Sequence, residues 1–360
     1  MLNFDYHALP WNILFGVDAL QRLPQQLDQL GLRRALVLTT PQQAQQGQAI
    51  AELLGNRAAG LFSEAVMHVP ATTVAQAQQV VDELQADCSV SLGGGSTTGL
   101  GKALALKNQL PNIAIPTTYA GSEMTNIWGI TENERKVTGR DDNVVPSLTL
   151  YDPRLTLGLP ARVAGPSGIN AMAQAVVNVT ATNPNPMVSM MALEAVRMLN
   201  RSLPLVVEQP QNLEARSEAL YGAMLAGASL GTGVTSLHHR LCHTFGGSFN
   251  TPHAETHTIL LPYSVAFNAR AVPGGTRQLA QALESEDAAA ALFQLARRVG
   301  APTSLKAIGF RQQDLDRAAA IATEKPLDNA EPVTRDKIRH LLEHAYEGIE
   351  PRAPYAQFNH

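Results

Sequence analysis

Through roughly the first 160 positions, apolar residues come in short unbroken runs separated by amphipathic stretches. Ala35-Leu36-Val37-Leu38-Thr39, Gly60-Leu61-Phe62, Cys88-Ser89-Val90-Ser91-Leu92, Asn112-Ile113-Ala114-Ile115 and Leu148-Thr149-Leu150-Tyr151 are apolar or small along most of their length. Runs of this kind read as strands buried on both faces rather than on one. Between two of them Val74, Ala77, Val81 and Leu84 recur at the spacing of one helix face. Strand and helix alternating in this way predict a doubly wound, mostly parallel sheet of Rossmann-like character.

Beyond that point the texture changes. Residues 187–200, 212–230, 284–299 and 334–348 are rich in Ala, Leu, Gln, Glu and Arg with helical periodicity, and β-branched runs become scarce. Pro184 and Pro186, Pro204 and Pro210, and Pro273-Gly274-Gly275 read as helix boundaries. The pattern therefore predicts an α/β dinucleotide-binding domain over 1–160 and an all-α substrate and catalytic domain over 161–360. A cleft between two such domains is the expected place for ligands.

Composition narrows the function classes. Of 360 residues 45% are hydrophobic and only 16% charged, enough to fill two cores and too apolar for a disordered chain. A net charge of −4 and a pI near 6.2 leave no basic footprint for nucleic acid or an anionic membrane surface. No apolar run is long enough to span a bilayer, and the opening Met-Leu-Asn-Phe-Asp-Tyr-His lacks the basic start of a secretory signal. Cys88 and Cys242, the only two cysteines, form neither a disulfide framework nor a thiolate zinc site, so the cytoplasm is the expected compartment.

Three segments carry chemistry. Gly93-Gly94-Gly95-Ser96-Thr97-Thr98-Gly99-Leu100-Gly101-Lys102 follows one apolar run and opens a helical pattern. Glycines there let a backbone approach a pyrophosphate, and the following helix start offers free N–H groups, although the same residues also make a plain strand-to-helix turn. The spacing is not that of a P-loop, and Thr98 stands where G-x-G-x-x-G has its last glycine. Pro116-Thr117-Thr118-Tyr119-Ala120-Gly121-Ser122-Glu123 follows the next run, and two loops at strand carboxyl ends point to one crevice. Finally, five of the ten histidines, His238, His239, His243, His253 and His257, lie within 20 positions. Imidazoles so clustered fit metal ligation or proton transfer, while His238 and His257 fit core positions equally well. His253-Ala254-Glu255-Thr256-His257 lacks the Glu directly after the first His that a zincin needs, and no P-C-x-x-C completes a deaminase site.

Together these stretches resemble the iron-containing alcohol dehydrogenase superfamily, and most closely its maleylacetate reductase branch. The resemblance covers nearly the whole chain, from Phe4–Gly16 through Leu38–Gln43, Gly93–Lys102, Pro116–Thr125 and Ser167–Ala171 to Leu237–His257. It implies the two-domain architecture shared with dehydroquinate synthases and a nicotinamide cofactor. Gly94, Gly95 and Ser96 would then hold the pyrophosphate, with Gly93 and Thr97 beside them in the cofactor site; Thr117 and Thr118 would line the cofactor, Thr40 approach the adenine ribose, and Lys136 reach the nicotinamide ribose. In metal-dependent relatives four side chains hold an ion; the matching positions here are Asn170, Gln174, His239 and His253. His243 matches the histidine beside the nicotinamide. Gln174 departs from the branch, which keeps a histidine there, and Val176-Val177-Asn178 departs where relatives place an acid.

The reaction implied is reduction of maleylacetate to 3-oxoadipate, a step of aromatic catabolism. Its substrate is a small dicarboxylate with a ketone conjugated to a double bond. His243 or His253 would donate to the developing enolate and then give a proton, while Tyr119, Asn170 and Gln174 would orient the substrate. Lys136, Arg140 and Arg240 are the candidate cations for its carboxylates. With two amides in the ion site no catalytic metal is expected. The strand end at Thr39-Thr40-Pro41-Gln42 has no carboxylate against the ribose, so both NADH and NADPH are expected to serve. A homodimer is expected from the resemblance. The rival readings are a metal-dependent alcohol or aldehyde reductase and a nucleotide-binding protein without catalysis.

Overall fold

The chain is described from a computed structural model covering residues 3–132 and 135–352. It divides into two compact units, one spanning His7–Leu159 and one beginning at Pro160 and joined by the N-terminal segment up to Tyr6.

The first unit holds strands β1 (Ile13–Phe15), β2 (Ala35–Leu38), β3 (Ala58–Phe62), β4 (Cys88–Gly93), β5 (Asn112–Pro116), β6 (Ile127–Glu132), β7 (Arg135–Arg140) and β8 (Leu148–Tyr151). Helices α1 (Leu23–Gln29), α2 (Ala44–Leu54), α3 (Ala71–Leu84) and α4 (Gly95–Asn108) connect them. Six strands pair in the order β1-β8-β5-β4-β2-β3, every ladder parallel. Side-chain alternation divides each strand between two layers. Ala35, Val37, Val90, Ile113 and Leu150 pack with Leu23, Leu27 and Ile50, whereas Leu36 and Leu38 pack with Val74, Ala77, Val81, Leu100 and Leu104. Burial on both faces explains the unbroken apolar runs.

Two features escaped the sequence pattern. β1 is only three residues long and lies at the sheet edge, with Ile13 exposed. β6 and β7 form a separate antiparallel ribbon whose second strand, Arg-Lys-Val-Thr-Gly-Arg, is almost wholly exposed. Neither buries a continuous apolar face, so neither leaves a hydrophobic signature.

The second unit is helical: α5 (Ala161–Val179), α6 (Pro186–Glu208), α7 (Leu213–Thr232), α8 (Leu237–Phe249), α9 (His253–Asn268), α10 (Pro273–Ala282), α11 (Ala288–Arg298), α12 (Leu315–Thr323) and α13 (Arg335–Glu347). α6 starts as the proline pattern predicts, with Pro186 in its first turn and Asn185 Oδ1 accepting from Met187 N and Val188 N. Pro204, read as a boundary, instead lies inside α6. An interior proline costs about 3 kcal/mol, and burial of Leu199, Leu203 and Val206 on either side of it offsets that cost. Gly246-Gly247, a pair that by itself favours ending a helix, does not interrupt α8. Stacking of Phe245 and Phe249 on Phe310, with ring centroids 4.7 and 5.1 Å away, holds the last turn until Asn250 ends it in the left-handed region (φ 51°). α5 itself, with Pro166 within it, is a helix that periodicity alone did not reveal, because nearly every residue from Ala164 to Val179 is buried.

Candidate active site

In the α/β unit the chain leaves β2 to one side for β3 and returns to the other side for β4. At such a switch point the loops after the flanking strands diverge and leave a crevice. The loops involved are Thr39–Gln43 after β2, the glycines after β4, and Pro116–Ser122 after β5, one strand further along. Gly93 has φ 146°, a conformation reserved for glycine, and a Cβ there would stand 2.5 Å from Thr97 Oγ1 and 2.8 Å from Gln43 Oε1. Gly95 opens α4 exposed, with no atom within 4 Å of where its Cβ would be, so the helix start is open to a ligand. Thr97 is buried and its hydroxyl donates to Gly94 O at 3.0 Å, which makes it a brace of the turn. Ser96 beside it is half-buried.

Gly101 serves the close helix–sheet packing for which the last fingerprint glycine was sought at position 98. A Cβ there would fall 2.3 Å from Ser91 Oγ and 2.5 Å from Asn112 Oδ1. Thr117 is tied to this turn twice: its N–H donates to Gly93 O (2.9 Å), and its hydroxyl accepts from Gln43 Nε2 (3.1 Å). Gln43 is a crevice residue that sequence reasoning did not single out. Thr40 and Thr118 are half-buried. Beside Leu92 the unit has a largely apolar cavity of about 390 Å³ lined by Leu20, Gln46, Ile50, Leu53 and Leu155.

The remaining candidates of this unit separate. Lys136 lies exposed on the β6–β7 ribbon opposite Thr131, outside the main sheet, with its stem over Gly129. Arg140 Nη1 donates to Asn126 Oδ1 at 3.0 Å. Tyr119 is completely buried. Nearby, buried Glu123 accepts from Tyr151 Oη at 2.8 Å, and its pKa is raised chiefly by burial.

In the helical unit, Asn170, Gln174 and Asn178 share one face of α5 at four-residue spacing, all buried. Asn178 has a structural role: its Nδ2 donates to Gln174 O and its Oδ1 accepts from Val234 N, pinning the segment that leads from α7 into α8. Along α8, His239 and His243 form one pair of neighbours and His238 and Cys242 another; on α9 His253 pairs with His257. Ring centroids lie 6.4 Å apart for His239 and His243, 5.8 Å for His239 and His257, and 4.5 Å for His253 and His257. His243 and His253 are exposed, whereas His238, His239 and His257 are buried. Burial holds His239 neutral, with its pKa pulled down to about 3, and lowers His238 and His257 well below the usual value.

His238 and His257 are more than core filling. His238 Nε2 and His257 Nδ1 share a proton at 2.9 Å, and Cys242 Sγ lies 3.6 Å from that Nε2. This trio has metal-ligand spacing, and burial raises the Cys242 thiol pKa well above the usual range. His257 Nε2, His239 Nδ1 and Asn170 Oδ1 are buried with no hydrogen-bond partner. Buried polar atoms rarely go unmet unless a ligand or water meets them. The four-residue spacing of His253 and His257 was the available signal for the role of His257. Arg240 is engaged elsewhere: its Nη1 donates to Lys325 O at 3.1 Å, just beyond α12.

Comparison with known proteins follows the same division. Residues 10–153 match the model for iron-containing alcohol dehydrogenase, and residues 165–346 match that for the C-terminal part of the Fe-containing alcohol dehydrogenase family. A maleylacetate reductase of Sphingobium indicum is 48% identical over 350 residues, 97% of this chain and 99% of the relative. The crystal structure of maleylacetate reductase from Rhizobium sp. superposes with a TM-score of 0.94 at 48% identity, covering 98% of this chain and 100% of that one. The fold extends to a sulfoacetaldehyde reductase from Bifidobacterium kashiwanohense, solved in complex with NAD+, at a TM-score of 0.88 and 23% identity, over 96% of this chain and 99% of that one.

Proposed function

The chain belongs to the iron-containing alcohol dehydrogenase family, in its maleylacetate reductase branch, and from that premise we propose that it reduces maleylacetate to 3-oxoadipate with NADH or NADPH and without a metal ion. The identity of 48% over 97% of the chain to a maleylacetate reductase carries the reading.

The residues around the glycine turn fit a dinucleotide. A pyrophosphate requires a backbone that can be approached, and Gly95 offers one, exposed and with open space at its Cβ position, while Gly93 lets Thr97 and Gln43 pack against the turn. The open start of α4 adds N–H donors and a partial positive charge from Gly94 to Ser96. Thr117 and Thr118 face the same crevice edge from the next strand, Thr40 borders it from β2, and the neighbouring apolar cavity suits an adenine ring. Lys136 is assigned to the nicotinamide ribose on the resemblance. Bound NADH or NADPH supplies the hydride.

The residues at the family's ion site do not fit divalent iron or zinc. Asn170 and Gln174 are neutral amides, His239 and His253 are imidazoles, and no carboxylate stands among them to offset two positive charges. The unmet Asn170 Oδ1 and His239 Nδ1 are better suited to hydrogen-bonding substrate or water. Conjugation makes a Lewis acid dispensable. When hydride adds to the carbon β to the ketone, the double-bond pair moves to form an enolate delocalised over carbon and oxygen. His243 and His253, both exposed, are the proposed donors to that oxygen; one, as the imidazolium, then gives its proton to the α carbon and is left neutral. Buried His239 and Gln174 remain neutral and orient the substrate. Tyr119, with its hydroxyl in a fully buried setting, is assigned the same role.

Two buried, unpaired cysteines agree with a reducing cytoplasm, and no helix among the described residues is long and apolar enough to cross a membrane. A homodimer completes the assignment, for sedimentation to check. The decisive experiment is NADH oxidation on addition of maleylacetate after exhaustive chelation, with elemental analysis of the same sample. Full activity with well under one equivalent of iron or zinc is expected. One equivalent of metal, with activity lost on its removal, overturns the metal-free reading in favour of a metal-dependent reductase; nucleotide binding without turnover overturns the catalytic one.

A further inference from the structure

Lys102 sits on α4 two turns beyond Gly95, about 10 Å along the axis, and is 1% exposed. A buried ammonium needs compensation, usually from a carboxylate. Here its Nζ donates within one short segment: to Ser122 O at 2.6 Å, Thr125 O at 2.7 Å, Ile127 O at 2.9 Å and Thr125 Oγ1 at 3.0 Å. Three carbonyls converging on one point repel each other unless a cation stands there. The conformation of residues 122–127 is therefore written around this side chain. Burial works against the ammonium, pulling its pKa down to about 7, and the Glu123 carboxylate works for it.

That segment is the far half of the loop whose near half is Thr117-Thr118. Between the halves the chain turns through Gly121 in the left-handed region (φ 74°), and the far half opens on a short 3-10 turn, Ser122–Met124. The near half is bonded to the glycine turn through Thr117 and Gln43. One helix thus supplies, at its start, the open N–H groups of the glycine turn and, two turns later, the cation that fixes the neighbouring loop. A methionine or leucine would fill the same volume at less desolvation cost, so packing alone does not account for a lysine here.

We propose that Lys102 is a positioning residue for the nicotinamide cofactor, setting the spacing between the glycine turn and the Thr117-Thr118 loop through its hold on Ser122, Thr125 and Ile127. The inference rests on the dinucleotide reading of that crevice but not on the identity of the reduced substrate.

The test is NADH binding, followed by fluorescence titration in the full-length protein, beside steady-state kinetics. Lys102→Met should raise the NADH Kd by ~10-fold or more, since it leaves three buried carbonyls unmet. Thr125→Val, which keeps the cation and removes one acceptor, should raise it by roughly 2- to 3-fold. In both, kcat at saturating NADH should stay within about threefold and KM for maleylacetate should not move. A merely structural role predicts a different pattern: a lower melting temperature and fewer active molecules, each with wild-type NADH affinity. Unchanged Kd in Thr125→Val and in whatever Lys102→Met folds overturns the proposal. Wild-type protein that binds neither NADH nor NADPH overturns both the proposal and the functional reading beneath it.

Discussion

At the scale of single residues, the histidines divide by solvent access. His243 and His253 are exposed, whereas His238, His239 and His257 are kept neutral by burial. His243→Ala should lower kcat by ~100- to 10,000-fold while NADH affinity changes little, because a proton donor acts in the transition state. Near-normal kcat in that variant would transfer the role to His253. The buried three have a thermodynamic signature. Their folded pKa values lie below the unfolded value near 6.5, so the unfolded chain binds more protons as pH falls. Their contribution to stability is whole above about pH 6.5 and is lost progressively toward the depressed pKa of about 3 that burial gives His239. Thermal melts should hold level from roughly pH 8 to 7 and drop steeply below about 6; a flat profile to pH 5 would show that these rings do not titrate with unfolding. On the proposed metal-free reading, Asn170 and Gln174 would set metal affinity in the same local way. Asn170→Asp combined with Gln174→His should raise zinc or iron content measurably toward one equivalent, and a double variant that stays metal-free would mean the amides are not what excludes the ion.

At the scale of elements, α4 and the turn before it do the most positional work. At Gly93, with φ 146°, a side chain meets both a strained backbone and the side chains of Thr97 and Gln43. Gly93→Val should destabilise by about 1–3 kcal/mol from backbone strain alone, with a further loss of cofactor affinity as its branches displace Thr97 and Gln43. Equal NADH affinity in a folded Gly93→Val protein would remove the glycine turn from the cofactor site. The helices α8 and α9 act as a pair in the other unit. Each presents two imidazoles one turn apart, and the His238–His257 bond ties the two helices at the depth where Leu237, Leu241 and Leu260 pack.

At the scale of the whole molecule, cofactor choice depends on what surrounds the end of β2. No carboxylate follows it directly, so NADPH should be accepted with kcat/KM within about tenfold of NADH. Ala65 N donates to Thr39 O at 3.0 Å, which brings exposed Glu64 beside that strand end from the chain beyond β3. Strict preference for NADH, relieved by Glu64→Gln, would show that this neighbour repels the 2′-phosphate.

How much could be read beforehand follows the same physics. Strands buried on both faces, and helices with one apolar stripe, write their burial into local order, so the four inner strands and the helix over 71–84 were legible; the edge strand β3 was legible as well through its short apolar run at 60–62. The glycine turn, the Thr117-Thr118 loop and the histidine cluster on which the proposed function rests also stand out in the sequence, because a phosphate cradle or a proton-transfer site would demand particular residue types close together in the chain. An edge strand, an exposed ribbon and a helix buried all round carry no such period, and β1, β6, β7 and α5 went unread. The tertiary structure alone decided that Pro204 sits inside a helix and that packing of Phe245 and Phe249 on Phe310 carries α8 through two glycines. It alone decided that Arg240 serves a neighbouring loop, and that Lys102 reaches carbonyls more than 20 positions away. Those outcomes depend on which distant groups share a buried space, and there the balance of desolvation against hydrogen bonding is set by neighbours that local sequence does not name.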